Sequence, residues 1–433
     1  MSSYFNDILS FVVLSMTKHG QYPTFYQIDE VLGSGERCII DGQLFINMGS
    51  NGYLGLQKDP EVLAAAMDAI NRYGLGAGGS RITAGTTRAH LELEEKIAEF
   101  EGTEAAIVFS SGFLGNTGLI QALSNHPMKW MLDYIEPIES KKLFGPNKVH
   151  IIFDSLIHRS LINGIECARG SMVGFSKPIV SSFANGDYAH LERILQNSKC
   201  PGKLVVVDTI FSLHGRRADI GQIAQIANRY GADVYVDEAH ATGVFGPHGR
   251  GLVDEAGCDD KVKFHFMTLS KAIGAEGGGF VGTKEQCDAF RVSAPWIFST
   301  SMAPAVAAGA KKSIEIIMRE PERREKLHRK AKFFREAIID LGFDVLGLTT
   351  QIVPVRFYTK KVAQEATYKL MEKGIFAPCY WYPAVGKTEA MVRMNIMATH
   401  SEEQLQYVVD VLKSLRDLAQ VGCSEAEHCL TPV

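Results

Sequence analysis

Between about residues 104 and 283, short apolar runs alternate with stretches of helical apolar spacing. The runs are AAIVF (105–109), VHIIF (149–153), LVVVD (204–208), DVYVD (233–237), FHFMT (264–268) and GGFVG (278–282). Each is bounded by turn or polar residues, and each is apolar at successive positions, as expected of strands buried on both faces. Between them lie DYAHLERILQN (187–197) and DIGQIAQIANRYG (219–231), whose apolar spacing is helical; the second ends at a glycine. This alternation predicts an α/β layer built on a mainly parallel sheet.

After about residue 303 the pattern changes. A long polar-faced helix is predicted over about 319–341, stopping at Gly342, followed by strands in QIVPVRF (351–357) and VRMNIM (392–397). A last helix, about 401–420, opens with Ser401 and Gln404, the pattern of a capping box. The expected division is an N-terminal segment (1–60), a large α/β domain (61–302) and a smaller α+β domain (303–433). Near the start, Ile8 to Met16 is apolar but spans nine residues, against ~20 for a bilayer crossing. No basic residue precedes it, unlike a signal peptide. A helix or arm packed on the body is expected, with peripheral membrane contact as the lesser alternative.

Composition narrows the class. Of 433 residues, 46% are hydrophobic and 22% charged, and 45 basic residues face 49 acidic ones. That is enough apolar chain for a large core and argues against disorder. The net charge of −4 gives no general attraction to nucleic acid. The basic residues of 319–341 are interspersed with Glu320, Glu322, Glu325 and Glu336, which reads as a solvated face. No two of the eight cysteines form a C-x-x-C pair, so neither a zinc ribbon nor a thioredoxin-like pair is expected. Reduced thiols in a cytoplasmic protein are the simplest reading.

In an open parallel sheet, chemistry gathers beyond the C-terminal ends of the strands. There the sequence places Ser111, Gly112 and Phe113 after the first run, Asp154 and His158 after the second, and Thr209 and Ser212 after the third. Asp237 and His240 follow the fourth, Thr268 and Lys271 the fifth. Singly, each has an ordinary explanation: a surface lysine, a helix-capping aspartate, a structural histidine. Together they suit pyridoxal phosphate, which needs a Schiff-base lysine (Lys271) and an anion beside its pyridine nitrogen (Asp237). Its phosphate suits a helix N-terminus, here Ser111-Gly112-Phe113, with Thr268 as a further donor. The G-x-G-x-x-G match at Gly74, Gly76 and Gly79 follows a helical stretch, VLAAAMDAINRY, not a strand. It therefore lacks the context of a dinucleotide site and is expected to be a turn. HGRG (248–251) is also expected to be a turn.

Over about residues 45–415 the chain resembles the α-oxoamine synthases. The resemblance rests on GSNGYLGL (49–56), GLGAGGSRITAG (74–85), FSSGFLGN (109–116), VDEAHATGVFG (236–246), TLSKAIGAEGG (268–278), FSTSMAP (298–304) and VRMNIMATHS (392–401). It implies the fold-type I architecture of pyridoxal-phosphate enzymes and a decarboxylative Claisen-type condensation of an amino acid with an acyl-CoA. By motif, Lys271 resembles the Schiff-base lysine that also moves the Cα proton, and Asp237 the partner of the pyridine nitrogen. His240 and Ser212 match residues that hydrogen-bond the cofactor's phenolic oxygen. His158 matches the histidine stacked on the ring, and Ser111, Gly112, Phe113 and Thr268 the phosphate side. Thr300 and Ser301 match positions that reach the neighbouring subunit's phosphate, implying an obligate homodimer. Arg393 matches the arginine that binds the amino-acid carboxylate, and Asn51 a residue near the active-site mouth.

Three features depart from the family. Relatives often carry acids where this chain reads Phe211-Ser212-Leu213-His214-Gly215-Arg216; Arg159 replaces a small residue; and the segment 125–148 is long. The tail motif and GQYPTFYQID (20–29) look most like bacterial serine palmitoyltransferases, which implies serine, or else alanine or glycine, with a long-chain acyl donor. Glycine C-acetyltransferase, 8-amino-7-oxononanoate synthase and an autoinducer-type synthase are alternatives. A non-catalytic partner subunit is a rival of another class, disfavoured by the presence of Lys271.

Overall fold

The structure, a computed structural model, describes residues 3–124, 129–144, 148–170 and 177–430. Near the N-terminus, β1 (Ile28–Leu32), β2 (Arg37–Ile40) and β3 (Gln43–Asn47) form an antiparallel meander. The centre of the molecule is a seven-stranded sheet. Its strands are β4 (Ala105–Phe109), β5 (Val149–Asp154), β6 (Ile179–Phe183), β7 (Gly202–Asp208), β8 (Asp233–Asp237), β9 (Phe264–Thr268) and β10 (Gly278–Gly282). They lie in the order β4-β10-β9-β8-β7-β5-β6. β10 is antiparallel to both its neighbours, and the other pairings are parallel.

All six predicted runs are strands of this sheet. Alternate residues supply two cores, one per face: Val205, Val207, Val234, Val236 and Met267 on one side, Leu204, Val206, Tyr235 and Phe266 on the other. This two-sided burial is why the runs lack polar alternation. The edge strand β6 escaped the pattern because its residues are mostly half-exposed.

Beyond the sheet come β11 (Ile352–Tyr358), β12 (Ile375–Phe376), β13 (Cys379–Tyr380) and β14 (Ala390–Asn395). β11, β14 and β13 form an antiparallel sheet, while β12 pairs in parallel with β3. The N-terminal meander is thus tied to the C-terminal part of the chain. The expected helix over 319–341 is Glu322–Asp340, and a separate helix, Pro304–Arg319, precedes it. The expected terminal helix is two helices, Glu402–Lys413 and Arg416–Leu430, the first with the capping box of Ser401 and Gln404. Of the long segment 125–148, two helices, Lys129–Ile135 and Pro137–Phe144, belong to the described residues; the rest lies mostly outside them.

One expectation needs correction. The apolar N-terminal stretch forms a helix, Tyr4–Lys18, but that helix buries none of its residues and is not packed on the body. Tyr4, Phe5, Leu9, Phe11 and Leu14 are all exposed. Among the described residues no helix is long and apolar enough to cross a membrane.

Candidate active site

The strand register brings two acids together. Asp208 ends β7, Asp237 ends β8, and the two are directly paired. One strand further on, β9 ends at Thr268 and leads into Lys271. Thr268 pairs with Gly278 at the start of β10, which pairs with Phe109 at the end of β4. The helix Gly112–Ser124 therefore starts beside the same edge. Its close approach depends on glycine: a Cβ on Gly278 would lie 2.7 Å from the Cα of Gly112 and 2.6 Å from the ring of Phe266.

These ends enclose a cavity of about 360 Å³. Nine of the thirteen expected site residues line it: Ser111, Gly112, Phe113, His158, Ser212, Asp237, His240, Thr268 and Lys271. Asp237 is buried; one oxygen accepts the Ala239 N–H at 2.9 Å and the other the Asn116 side-chain amide at 2.6 Å. Asn116 in turn accepts the Tyr235 hydroxyl at 2.8 Å, so the carboxylate is fixed in orientation. His158 stands at the open side, its Nδ1 2.7 Å from the Ser160 hydroxyl and its ring 6.4 Å edge-on from that of Phe113. Burial lowers the Lys271 amine to about 8, partly offset by the negative charges of Asp237 and Asp208. Burial, with the cations Lys271 and Arg393 nearby, holds His240 well below the usual imidazole range.

Arg393 and Asn51 adjoin the cavity without lining it. Arg393, on β14, is buried; its Nε donates to the Ser212 carbonyl at 2.7 Å, and both terminal nitrogens donate to Asn51 Oδ1 at 3.2 Å. Among the described residues no carboxylate lies within ion-pair distance of it. A buried cation without a counter-ion is costly, which suits it to an incoming anion. Thr300 and Ser301 are held elsewhere: Thr300 bridges Ser80, and the Ser301 N–H donates to the Gly79 carbonyl at 3.0 Å. The expected turn at Gly74–Gly79 is this loop, and it follows the helix Pro60–Tyr73.

Of the departures, His214 is buried 3.5 Å from Glu389, and Arg159 is exposed and pairs with Glu166 on its own helix at 2.6 Å. Neither side chain lines the cavity.

Sequence reasoning missed Asp208, Asn116, Ser160 and Tyr53. Asp208 lines the cavity, is buried, and leaves Oδ1 without a partner; burial beside Asp237 raises its carboxyl well above the usual range. Asp208 ends an apolar run just as Asp237 does, so the same signal could have found it. An orphaned acid, a second fixed acid, a depressed lysine and a helix N-terminus with no acid in its first turn fit pyridoxal phosphate.

Comparison with known proteins agrees. Residues 44–412 match the family of class I and II aminotransferases. The chain is 33% identical over 401 residues to 8-amino-7-oxononanoate synthase 1 of Bacillus subtilis, covering 92% of this chain and 94% of that one. It is 35% identical over 389 residues to the 8-amino-7-oxononanoate synthase of Symbiobacterium thermophilum, covering 89% and 90%. Among solved structures, the serine palmitoyltransferase of Sphingomonas wittichii superposes with a TM-score of 0.84 at 28% identity, covering 97% of this chain and 98% of that one. That of S. paucimobilis gives 0.85 at 27%, covering 97% and 100%. The chain belongs to the class I and II aminotransferase family, in its α-oxoamine synthase branch of pyridoxal-phosphate-dependent acyltransferases with the fold-type I architecture.

Proposed function

We propose that the protein condenses a small amino acid with an acyl-CoA, with loss of CO2, to give an α-amino ketone and free CoA. The observation that carries this reading is the meeting of Lys271 and Asp237 in one cavity beside a buried, unpaired Arg393. When bound, pyridoxal phosphate supplies the ring that withdraws electrons from Cα. Lys271 holds the cofactor and moves the Cα proton, a task its lowered pKa suits. Asp237, fixed by Asn116, keeps a proton on the ring nitrogen. His158 covers the ring, and His240 and Ser212 hydrogen-bond its phenolic oxygen. Ser111, Gly112, Phe113 and Thr268 hold the phosphate. Arg393 binds the substrate carboxylate and Asn51 orients the guanidinium. Thr300 and Ser301 serve the partner subunit's phosphate in a homodimer, which accounts for their absence from the cavity of their own protomer.

The donor has two readings. The sequence relatives favour 8-amino-7-oxononanoate synthesis, whose named product bears a terminal carboxylate, over the expected serine with a long-chain acyl group. The structural neighbours favour a serine palmitoyltransferase-like reaction. The three-part domain division, a cytoplasmic location and peripheral membrane contact through the helix Tyr4–Lys18 complete the proposal.

The test is CoA release over a grid of serine, alanine and glycine against palmitoyl-, acetyl- and ω-carboxyacyl-CoA, with mass spectrometry of the products. Product with an ω-carboxyacyl donor alone supports the first reading, and product with palmitoyl-CoA alone the second. Release with none of these amino acid–donor pairs overturns the condensation.

A further inference from the structure

The hydroxyl of Tyr53 has one hydrogen and two candidate acceptors. Tyr53 is fully buried, with its oxygen 2.7 Å from Nδ1 of His240 and 3.2 Å from Oδ1 of Asn51. Asn51 Oδ1 already accepts from both terminal nitrogens of Arg393 and from the side-chain amide of Asn395, each at 3.2 Å. A carbonyl oxygen has two lone pairs, so these donors saturate it. The shorter contact, to the imidazole, takes the hydrogen.

The imidazole is neutral. It is buried, and Lys271, Arg393 and His158 all face it with positive or potentially positive groups. The phenol, faced by Arg393, Gln351 and Tyr380, is pushed by burial up to about 12 and stays protonated. A neutral imidazole carries one N–H, and the nitrogen that accepts a hydrogen bond fixes the other as donor. The Gln351 side-chain amide donates to the His240 main-chain carbonyl at 2.9 Å and so fixes the backbone that carries the ring. Among the described residues Nε2 has no protein partner.

We propose that Tyr53 is a positioning residue that locks His240 as the Nε2–H tautomer, a hydrogen-bond donor toward the cavity. The tautomer itself follows from the protein alone. Its consequence for the cofactor rests on the reading of the cavity given above. An N–H donor at the cofactor's ring oxygen favours the anionic oxygen, so it holds the titration midpoint of the cofactor's visible absorption down.

Two measurements test this. In the cofactor-free protein, 15N-histidine NMR, with the His240 signals identified by their loss in His240→Gln, should show the hydrogen on Nε2. A hydrogen on Nδ1 overturns the proposal, and this readout needs no Tyr53 variant to fold. In the loaded protein, Tyr53→Phe should raise the absorption midpoint by about half a pH unit or more, with no further rise when added to His240→Gln. A loss of thermal stability with an unmoved midpoint would mean that the hydroxyl is only structural, and would also overturn it. A colourless protein with the Nε2 hydrogen in place would instead count against the cofactor reading and leave the tautomer standing.

Discussion

Lys271 must lose its proton before it can attack an aldehyde, so its pKa sets when the protein captures its cofactor. Burial disfavours the charged amine and lowers that pKa from 10.5 to about 8. The rate of cofactor capture by the cofactor-free protein, followed by visible absorbance, should therefore rise about tenfold per pH unit below 8 and level off above it. A plateau displaced to pH 10 would mean the amine is not desolvated. Asp237→Asn keeps the size of the group but not its charge; turnover should fall about 10²-fold or more while most of the cofactor is retained. Equal loss of both would place Asp237 in binding rather than chemistry. Arg393→Ala removes a charged hydrogen-bonding partner, so the amino-acid KM should rise about 10–100-fold with a smaller change in kcat; an unchanged KM would contradict that role. Asp237 and Lys271 could be read from sequence because each follows an apolar run on a predicted strand. Tyr53 and Asn116 could not: Tyr53 meets His240 across 187 residues, and Asn116 meets Asp237 across 121.

The helix Gly112–Ser124 reaches the cavity because its inner face is nearly bare. A Cβ on Gly115 would meet the Phe266 ring at 2.7 Å, and one on Gly118 would meet Pro295 at 2.1 Å. Gly115→Ala must push the helix off the sheet, at about 1–3 kcal/mol, and carry its N-terminus away from the phosphate position. Calorimetry should show weaker cofactor binding together with lower stability; unchanged affinity would mean that the helix end does not hold the phosphate. The central strands were readable because double-sided burial leaves continuous apolar runs. Pro304–Arg319 was not, since the run AVAAGA puts small residues on every side of its first turns, the buried Ala305, Ala307, Gly309 and Ala310 among them, and so blurs the period. The terminal helix divides near Ser414, where nothing in the apolar spacing marks the break.

Across the whole molecule, the cavity lies at the strand ends of the seven-stranded sheet, and Arg393 of β14 reaches it through its hydrogen bond to the Ser212 carbonyl. A cofactor bound there contacts several separate strand ends and should raise Tm, by linkage about 2.7 kcal/mol at a hundredfold excess over Kd; Lys271→Ala should lose most of that gain, and a wild type with none would contradict the site. The fold class was legible because its sheet is local in pattern. The pairing of β12 with β3 was not, because it joins segments more than 300 residues apart. The family includes aminotransferases, so the central claim concerns the fate of the amino acid's carboxyl group. The direct measurement is to supply the protein with 1-13C-labelled serine or alanine and an acyl-CoA and to follow the label. The account predicts labelled CO2 released in equal amount with free CoA, dependent on both substrates and absent in Lys271→Ala. Label retained in a 2-oxo acid, formed without any acyl-CoA, would contradict it.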